Sequence, residues 1–166
     1  MRNRSKILRR LVGTNLAVML VLGSFTVIPE AEVTLSMVTE RTIQYPLRVG
    51  YISQGYSIFH PALDLAAPRG TEVKPIKDGV VEDISRSKVG YGNAIIIDHG
   101  SGIKSLYAHL SKIEASKGDK VTVFDTIGNV GATGHSTGPH LHLEVRKNRI
   151  PINPFAVLPS LASSRL

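Results

Sequence analysis

The chain has 166 residues, with 20 basic residues, 13 acidic residues, no cysteine and a formal net charge of +7. The lack of cysteine excludes disulfides and cysteine-based zinc sites, so a metal could be held only by histidine and carboxylate side chains. Five basic residues lie in the first ten positions, which leaves 15 basic against 13 acidic residues in the remainder. This mild excess gives no reason to expect a nucleic-acid partner.

The N-terminal region has the pattern of an export signal or a membrane anchor. Its basic start is followed by an 18-residue apolar run from Leu11 to Ile28. That length lies between a long signal peptide and a minimal membrane-spanning helix. We predict one hydrophobic helix within residues 1–29, as an uncleaved signal-anchor or a cleaved signal peptide; the alternative is a buried helix of a soluble domain. Residues 30–46 then form a linker and residues 158–166 a tail.

From residue 47 onward the sequence has the pattern of an all-β protein. Runs that alternate apolar and polar residues, or that are rich in β-branched residues, are typical of strands. Such runs occupy residues 79–84, 93–98, 103–108, 120–124 and 140–146, with turn signals between them. The pattern predicts a compact antiparallel β-sheet core arranged as a sheet, a barrel or a sandwich.

Three of the six histidines lie close together, at positions 135, 140 and 142. Because side chains two apart on a strand project to the same face, His140 and His142 are predicted to point into one site. Two adjacent imidazoles suit a divalent metal with a proton-transfer group beside it. The spacing does not decide which of the two is the ligand. His135 and His99 lie in apparent turns, and we interpret both as turn residues that hydrogen-bond locally.

Three further residues complete a catalytic metal site. His60 and Asp64 offer an imidazole and a carboxylate, and His109 directly follows a predicted strand. Two imidazoles and one carboxylate can hold a catalytic zinc ion and leave a position open for water. His60, Asp64 and one member of the 140/142 pair would supply that set. The other member and His109 would then move protons while water attacks a carbonyl group.

The motifs around these residues are His60-x-x-x-Asp64, Tyr107-Ala-His109-Leu-Ser111 and Gly138-Pro-His140-Leu-His142-x-Glu144. Together they resemble those of the lysostaphin/LytM-type zinc metallopeptidases, which cut peptidoglycan peptides. The resemblance covers about residues 47–157. Further motifs follow in the family's order: Asp64-Leu-Ala-Ala-Pro-Arg-Gly-Thr71, Asp78-Gly-Val80, Gly90-Tyr-Gly-Asn93, Ile97-Asp-His-Gly100, Gly118-Asp119, Ile127-Gly128 and Asn153-Pro154.

The resemblance implies a fold, a site and a function. The fold is a compact antiparallel β-sheet core of the barrel-sandwich-hybrid type, with a groove bordered by loops. The site is one zinc ion held by His60, Asp64 and His142, with His109 and His140 as catalytic residues that activate water and stabilise the oxyanion. The function is hydrolysis of peptide cross-links or bridges of bacterial peptidoglycan, by an exported protein that is membrane-anchored or secreted.

The alternative function is that of a non-hydrolytic regulator or scaffold of cell-wall enzymes, with a cell-wall protein as its partner. Some family members that have lost the site residues work in this way. Because this chain keeps all five, the sequence favours an active enzyme.

One departure from the family pattern bears on activity. The family usually has glycine at the position between the two ligands that Ala62 occupies here. If that position needed a positive φ or a close approach of the backbone, the alanine methyl group would displace the ligand loop.

Overall fold

The computed structural model describes residues 43–160, whose regular secondary structure is β-strand except for one short 3₁₀ turn. The strands within this range are β1 (Tyr51–Gln54), β2 (Leu63–Ala66), β3 (Glu72–Val73), β4 (Gly79–Arg86), β5 (Asn93–Asp98), β6 (Ile103–Ala108), β7 (Lys112–Ile113), β8 (Lys120–Val121), β9 (Gly128–Asn129), β10 (His140–Lys147) and β11 (Ile150–Ile152). One 3₁₀ turn, Pro154–Ala156, follows them. The prediction of an all-β, antiparallel domain is confirmed.

The hydrophobic helix predicted within residues 1–29 lies outside the described residues. Within residues 43–160, no helix has the length and apolar character needed to span a membrane.

The domain contains two antiparallel sheets. The larger has eight strands in the order β1-β2-β10-β6-β5-β4-β8, with β11 paired to β10. The smaller has the order β3-β9-β7. Strand β10 is central because it pairs with β2 on one side and β6 on the other. Residues far apart in the chain therefore meet along β10.

The two faces of β10 have different environments, as the period of two in a strand requires. Leu141, Leu143 and Val145 are fully buried and belong to the main hydrophobic core. Full burial of such a side chain contributes about 1.5–3 kcal/mol, and Leu143→Ala would cost about 2–5 kcal/mol. The opposite face presents His140 and His142. The core thus holds one face of the strand while the other face carries the site.

The packed part of the domain includes residues that the sequence assigned to the linker. Tyr45 is 8% exposed and belongs to the main core. The side-chain amide of Gln44 donates hydrogen bonds to the carbonyl oxygens of Pro75 and Val123, at 3.2 and 2.5 Å. These contacts join residues 44 and 45 to the β-domain. The remaining boundaries, at residues 29 and 157, stay predictions.

Candidate metal centre

The five predicted site residues come together at one end of the large sheet. His60 precedes β2, Asp64 lies within β2, His109 directly follows β6, and His140 and His142 open β10. Because β10 lies between β2 and β6, the strand pairing alone brings all three segments to one place.

Three of these residues form a cluster that can bind a metal ion. Ligand atoms of His60, Asp64 and His142 all lie within 4.8 Å of one another. His60 Nε2 is 3.1 Å from Asp64 Oδ2, and His142 Nδ1 is 2.8 Å from Asp64 Oδ1. Their side chains are only 11–17% exposed, so the cluster is recessed but open to solvent. Two imidazoles and a carboxylate are the donor set of a catalytic zinc site.

Backbone carbonyl groups fix the ring orientation of three histidines in the site. The Nδ1 contacts are His60 with Gly55 O at 3.2 Å, His109 with Thr133 O at 2.8 Å and His140 with Gly138 O at 2.9 Å. Because a carbonyl oxygen can only accept a hydrogen bond, Nδ1 of each ring carries the proton. In the neutral ring the lone pair is then on Nε2, where it can bind a metal or accept a proton.

His109 and His140 lie next to the ligand cluster and to each other. Their ring centroids are 4.8 Å apart, and the His109 ring lies 5.5 Å from the His142 ring. His140 Nε2 is 3.8 Å from Asp64 Oδ2. Two imidazoles thus face the position that the ligand cluster defines.

The backbone of His109 is held in an uncommon conformation by a neighbouring loop. Its φ is +61°, in the left-handed region, where histidine is more frequent than most residues. Its N–H donates to Tyr91 O at 2.9 Å, and the next amide, of Leu110, donates to Asn93 O at 3.0 Å. These two bonds place His109 by its main chain, while Thr133 fixes its ring.

Glycine is required where this loop meets the segment that carries Thr133. Gly92 has φ +66°, and a Cβ atom there would lie 2.4–2.6 Å from atoms of Thr133. Real Cβ atoms do not approach so closely, so the contact exists only without a side chain. The glycine of the predicted Gly90-Tyr-Gly-Asn93 motif is therefore part of the support of His109.

The surroundings of His109 and Asp64 lower the pKa of both side chains. Burial lowers the pKa of His109, and the neighbouring His140 and His142 lower it further, against the opposing hydrogen bond to Thr133. Burial alone would raise the pKa of Asp64, but the hydrogen bond from His142 and the charges of the nearby histidines lower it overall. His109 is therefore neutral and Asp64 ionised at neutral pH.

His142 is the histidine most strongly affected by its surroundings. Burial opposes its charged form, but hydrogen bonds to Asp64 and Glu144 outweigh burial and raise its pKa to about 9. The metal-free ring is therefore protonated at neutral pH. Metal binding through this ring must release a proton.

Sequence reasoning assigned no role to Glu144, Tyr91 or Arg146, which form a hydrogen-bonded network beside His142. Glu144 is 3% exposed, and its carboxylate accepts hydrogen bonds from the Tyr91 hydroxyl and the Arg146 guanidinium. Burial would raise its pKa, but hydrogen bonds from His142, Tyr91 and Arg146 lower it to about 2. Alternation along the predicted strand could have indicated Glu144 and Arg146, because residues 144 and 146 share a face with residue 142.

The structure bears on what the sequence indicated for His99 and for Ala62. His99 does not hydrogen-bond locally as a turn residue: it is buried, with Nε2 2.6 Å from Ser105 Oγ and Nδ1 2.9 Å from Asp78 O. The pattern of glycines around it concealed this core position. Ala62 is fully buried and has no positive φ, so its methyl group is accommodated beside the ligands.

The antiparallel β-sheet domain thus carries a histidine–aspartate cluster that could hold a metal ion, with two further imidazoles beside it. The comparison with known families agrees: residues 58–154 match peptidase family M23, and the chain belongs to that family.

Individual relatives and structures share this domain. The chain is 50% identical over 98 residues to the DD-carboxypeptidase/endopeptidase Mpg of Neisseria meningitidis, which covers 59% of the chain and 22% of that relative. A zinc-containing peptidase from Vibrio cholerae superposes with a TM-score of 0.65 at 33% identity, over 74% of this chain and 41% of that one. The catalytic domain of lysostaphin from Staphylococcus simulans superposes with a TM-score of 0.58 at 33% identity, over 67% of this chain and 91% of that one.

Proposed function

We propose that the chain is a zinc-dependent endopeptidase that hydrolyses peptide cross-links or bridges of bacterial peptidoglycan. The observation that carries the proposal is the convergence of His60, Asp64 and His142 on one point, with His109 and His140 beside it. Membership of peptidase family M23 supports the reaction class, and the name of the Neisseria relative supports the substrate class.

Zinc fits the donor set of His60, Asp64 and His142. The His60 ring offers Nε2, because its Nδ1 proton is bound to Gly55 O. Asp64 is ionised and offers carboxylate oxygens, and His142 offers Nδ1. If these three residues held zinc, the ion would supply Lewis-acid chemistry, which polarises a carbonyl group and lowers the pKa of bound water to about 7.

His109 serves as the general base in this proposal. Its lowered pKa keeps the ring neutral, and its Nδ1–H bond to Thr133 leaves the Nε2 lone pair free. A neutral imidazole at this place can accept a proton from the attacking water and return it to the leaving amine.

His140 serves to stabilise charge that develops on the substrate. Its Nδ1 donates to Gly138 O, so Nε2 is the ring atom that faces the ligand cluster and the one from which an N–H would be donated to the substrate. A donor aimed at the developing oxyanion stabilises the transition state more than the ground state.

Two cavities near the site are the surface that we propose for binding part of the peptide substrate. Two adjoining cavities of about 150 and 410 Å³ lie on the sheet face that carries Arg146, and the smaller is also lined by Tyr91. Tyr91 reaches the site itself, since its ring lies 5.7 Å from that of His142. Tyr91 therefore lies both near the proposed zinc position and at the edge of these cavities.

We favour the D-Ala-to-diamino-acid cross-link as the bond that is cut, because the Neisseria relative is called a DD-carboxypeptidase/endopeptidase. The same proposal requires the domain to work outside the cytoplasm, where peptidoglycan is found. A signal or signal-anchor within residues 1–29 would export it. A non-hydrolytic partner-binding role is the alternative.

The experiment is release of new amino termini from isolated peptidoglycan by zinc-loaded protein, compared with His109→Ala. Release by the unchanged chain and little release by the variant support hydrolysis. If the variant sustains full cell-wall function in cells, hydrolysis is not the role, and the partner-binding role is favoured.

A further inference from the structure

His142 is the one histidine among the five site residues whose ring is not oriented by a backbone carbonyl group. Its two nitrogens face two carboxylates: Nδ1 lies 2.8 Å from Asp64 Oδ1, and Nε2 lies 3.4 Å from Glu144 Oε1. The ring is also turned the other way, because His60 faces the cluster with Nε2 and His142 faces it with Nδ1. The Glu144 side chain therefore orients the His142 ring, as the Gly55 carbonyl oxygen orients the His60 ring.

Glu144 is itself held in place through both of its carboxylate oxygens. Oε1 accepts the hydrogen bond of the Tyr91 hydroxyl, on the same oxygen that faces His142. Oε2 accepts two hydrogen bonds from Arg146, from Nε at 2.9 Å and from Nη2 at 2.6 Å. The carboxylate cannot rotate without breaking one of these contacts. It is buried, so water does not replace them.

We propose that Glu144 is a positioning residue that holds the Nε2 proton of His142, so that Nδ1 is the atom this ring offers to the metal. Tyr91 and Arg146 fix Glu144 for this purpose. The proposal rests on the metal site of the proposed function, and it adds the residues that select the ligand atom of His142. Carboxylate partners of ligating histidines typically raise metal affinity by about 10- to 100-fold.

The alternative is that Glu144 only fills a buried position and neutralises Arg146. The two roles differ in a spectroscopic signature. In the zinc-loaded chain with ¹⁵N-labelled histidine, long-range ¹H–¹⁵N correlation should show His142 with a proton on Nε2 and none on Nδ1. A proton on Nδ1, with Nε2 bound to the metal, would overturn the proposal.

The matching affinity experiment uses a chromophoric chelator to measure the zinc Kd. Glu144→Gln should weaken zinc binding about 10- to 100-fold, and Tyr91→Phe, which keeps the carboxylate and removes one hydrogen bond, should weaken it less. Glu114→Gln is the matched control, because Glu114 pairs with Lys112 at 2.7 Å and its side chain is 34% exposed. It should leave the Kd unchanged.

The outcomes separate this inference from the proposed function. If the unchanged chain does not bind zinc, both fail. If it binds zinc and Glu144→Gln binds equally well, the inference alone fails. Should Glu144→Gln fold poorly, Tyr91→Phe decides: weaker binding with an unchanged melting temperature of the metal-free protein supports the inference, and unchanged binding overturns it.

Discussion

His142 and Asp64 are cross-strand partners in the antiparallel pair of β10 and β2, although 78 positions separate them in the chain. Directly opposed residues on one face of a sheet bring their side chains within contact distance. The carboxylate–imidazole contact is therefore a consequence of sheet register. A slip of one residue in that register would turn His142 into the core and remove the site.

The proposed roles, with His142 as a metal ligand and His109 as the general base, predict two distinct mutant phenotypes. His109→Ala should lower peptidase activity by about 10²- to 10⁴-fold, the usual contribution of a general base, while zinc affinity stays near that of the unchanged chain. His142→Ala should lose zinc binding and activity together. Chelator competition and peptide hydrolysis measure the two effects.

His135→Ala is the matched control, since His135 is exposed and outside the cluster. It should change neither quantity. Loss of zinc by His109→Ala would contradict the assignment of that residue as a base.

Gly92→Ala is predicted to disturb the support of His109. The new Cβ would lie 2.4–2.6 Å from Thr133 atoms, so the segment whose carbonyl holds the His109 ring must shift. We expect a loss of more than about 2 kcal/mol in the free energy of unfolding, from the left-handed φ and the steric overlap together. Peptidase activity should fall in the refolded, zinc-loaded variant.

Gly90→Ala provides the comparison that isolates the steric term. Gly90 has φ +58°, but a Cβ atom there would have nothing within 4 Å. It should cost only the left-handed penalty of about 1 kcal/mol, with activity kept. Equal effects of the two substitutions, measured by urea unfolding and by hydrolysis, would refute the steric argument.

Ala62→Gly tests whether the family's usual glycine is needed for catalysis. Because Ala62 is fully buried and has no positive φ, glycine offers no conformational benefit. The substitution should cost about 1–2 kcal/mol of stability, from the lost methyl burial and the greater freedom of the unfolded chain. We expect activity within about twofold of the unchanged chain. A tenfold gain in activity would show that the methyl group impedes the ligands.

Stability should fall with acid partly through His99. Burial lowers the pKa of His99, with Lys77 acting in the same direction. In the unfolded chain His99 takes up a proton near pH 6.5, whereas in the folded chain it stays neutral to lower pH. The stabilisation that is present above pH 6.5 is therefore lost as the pH falls. Between about pH 7.5 and 5, the unchanged chain should lose more unfolding free energy than His99→Gln. An identical loss in both proteins would exclude His99 as the cause.

The sequence predicted the longer strands well and the short ones poorly. Residues 93–98 and 103–108 have the predicted bounds of β5 and β6, because β-branched residues and alternation determine them locally. The predicted strand 120–124 stops at Val121, since Thr122 forms a turn in which its N–H and hydroxyl both bind Asp125 Oδ2. The two-residue strands β3, β7 and β9 arise from long-range pairing, which leaves no local pattern.

The sequence could predict that the candidate site residues lie close together, but not which of their ring nitrogens face the cluster. Alternation alone placed His140 and His142 on one face. Which ring nitrogen faces the metal depends on partners such as Gly138 O and Glu144, whose positions follow from the folded loops and sheet. The resemblance to a family implied which residues are the ligands. The hydrogen bonds that orient those residues could be identified only from the three-dimensional structure.

The most direct test of the proposed function is a digest of a defined D,D-cross-linked muropeptide dimer by the zinc-loaded chain, read by mass spectrometry. We expect conversion of the dimer to two monomers, with one water added at the D-Ala-to-diamino-acid bond, and no conversion after zinc removal or by His142→Ala. An intact dimer after incubation with fully zinc-loaded protein, when a glycine-bridged substrate is also left uncut, would contradict it.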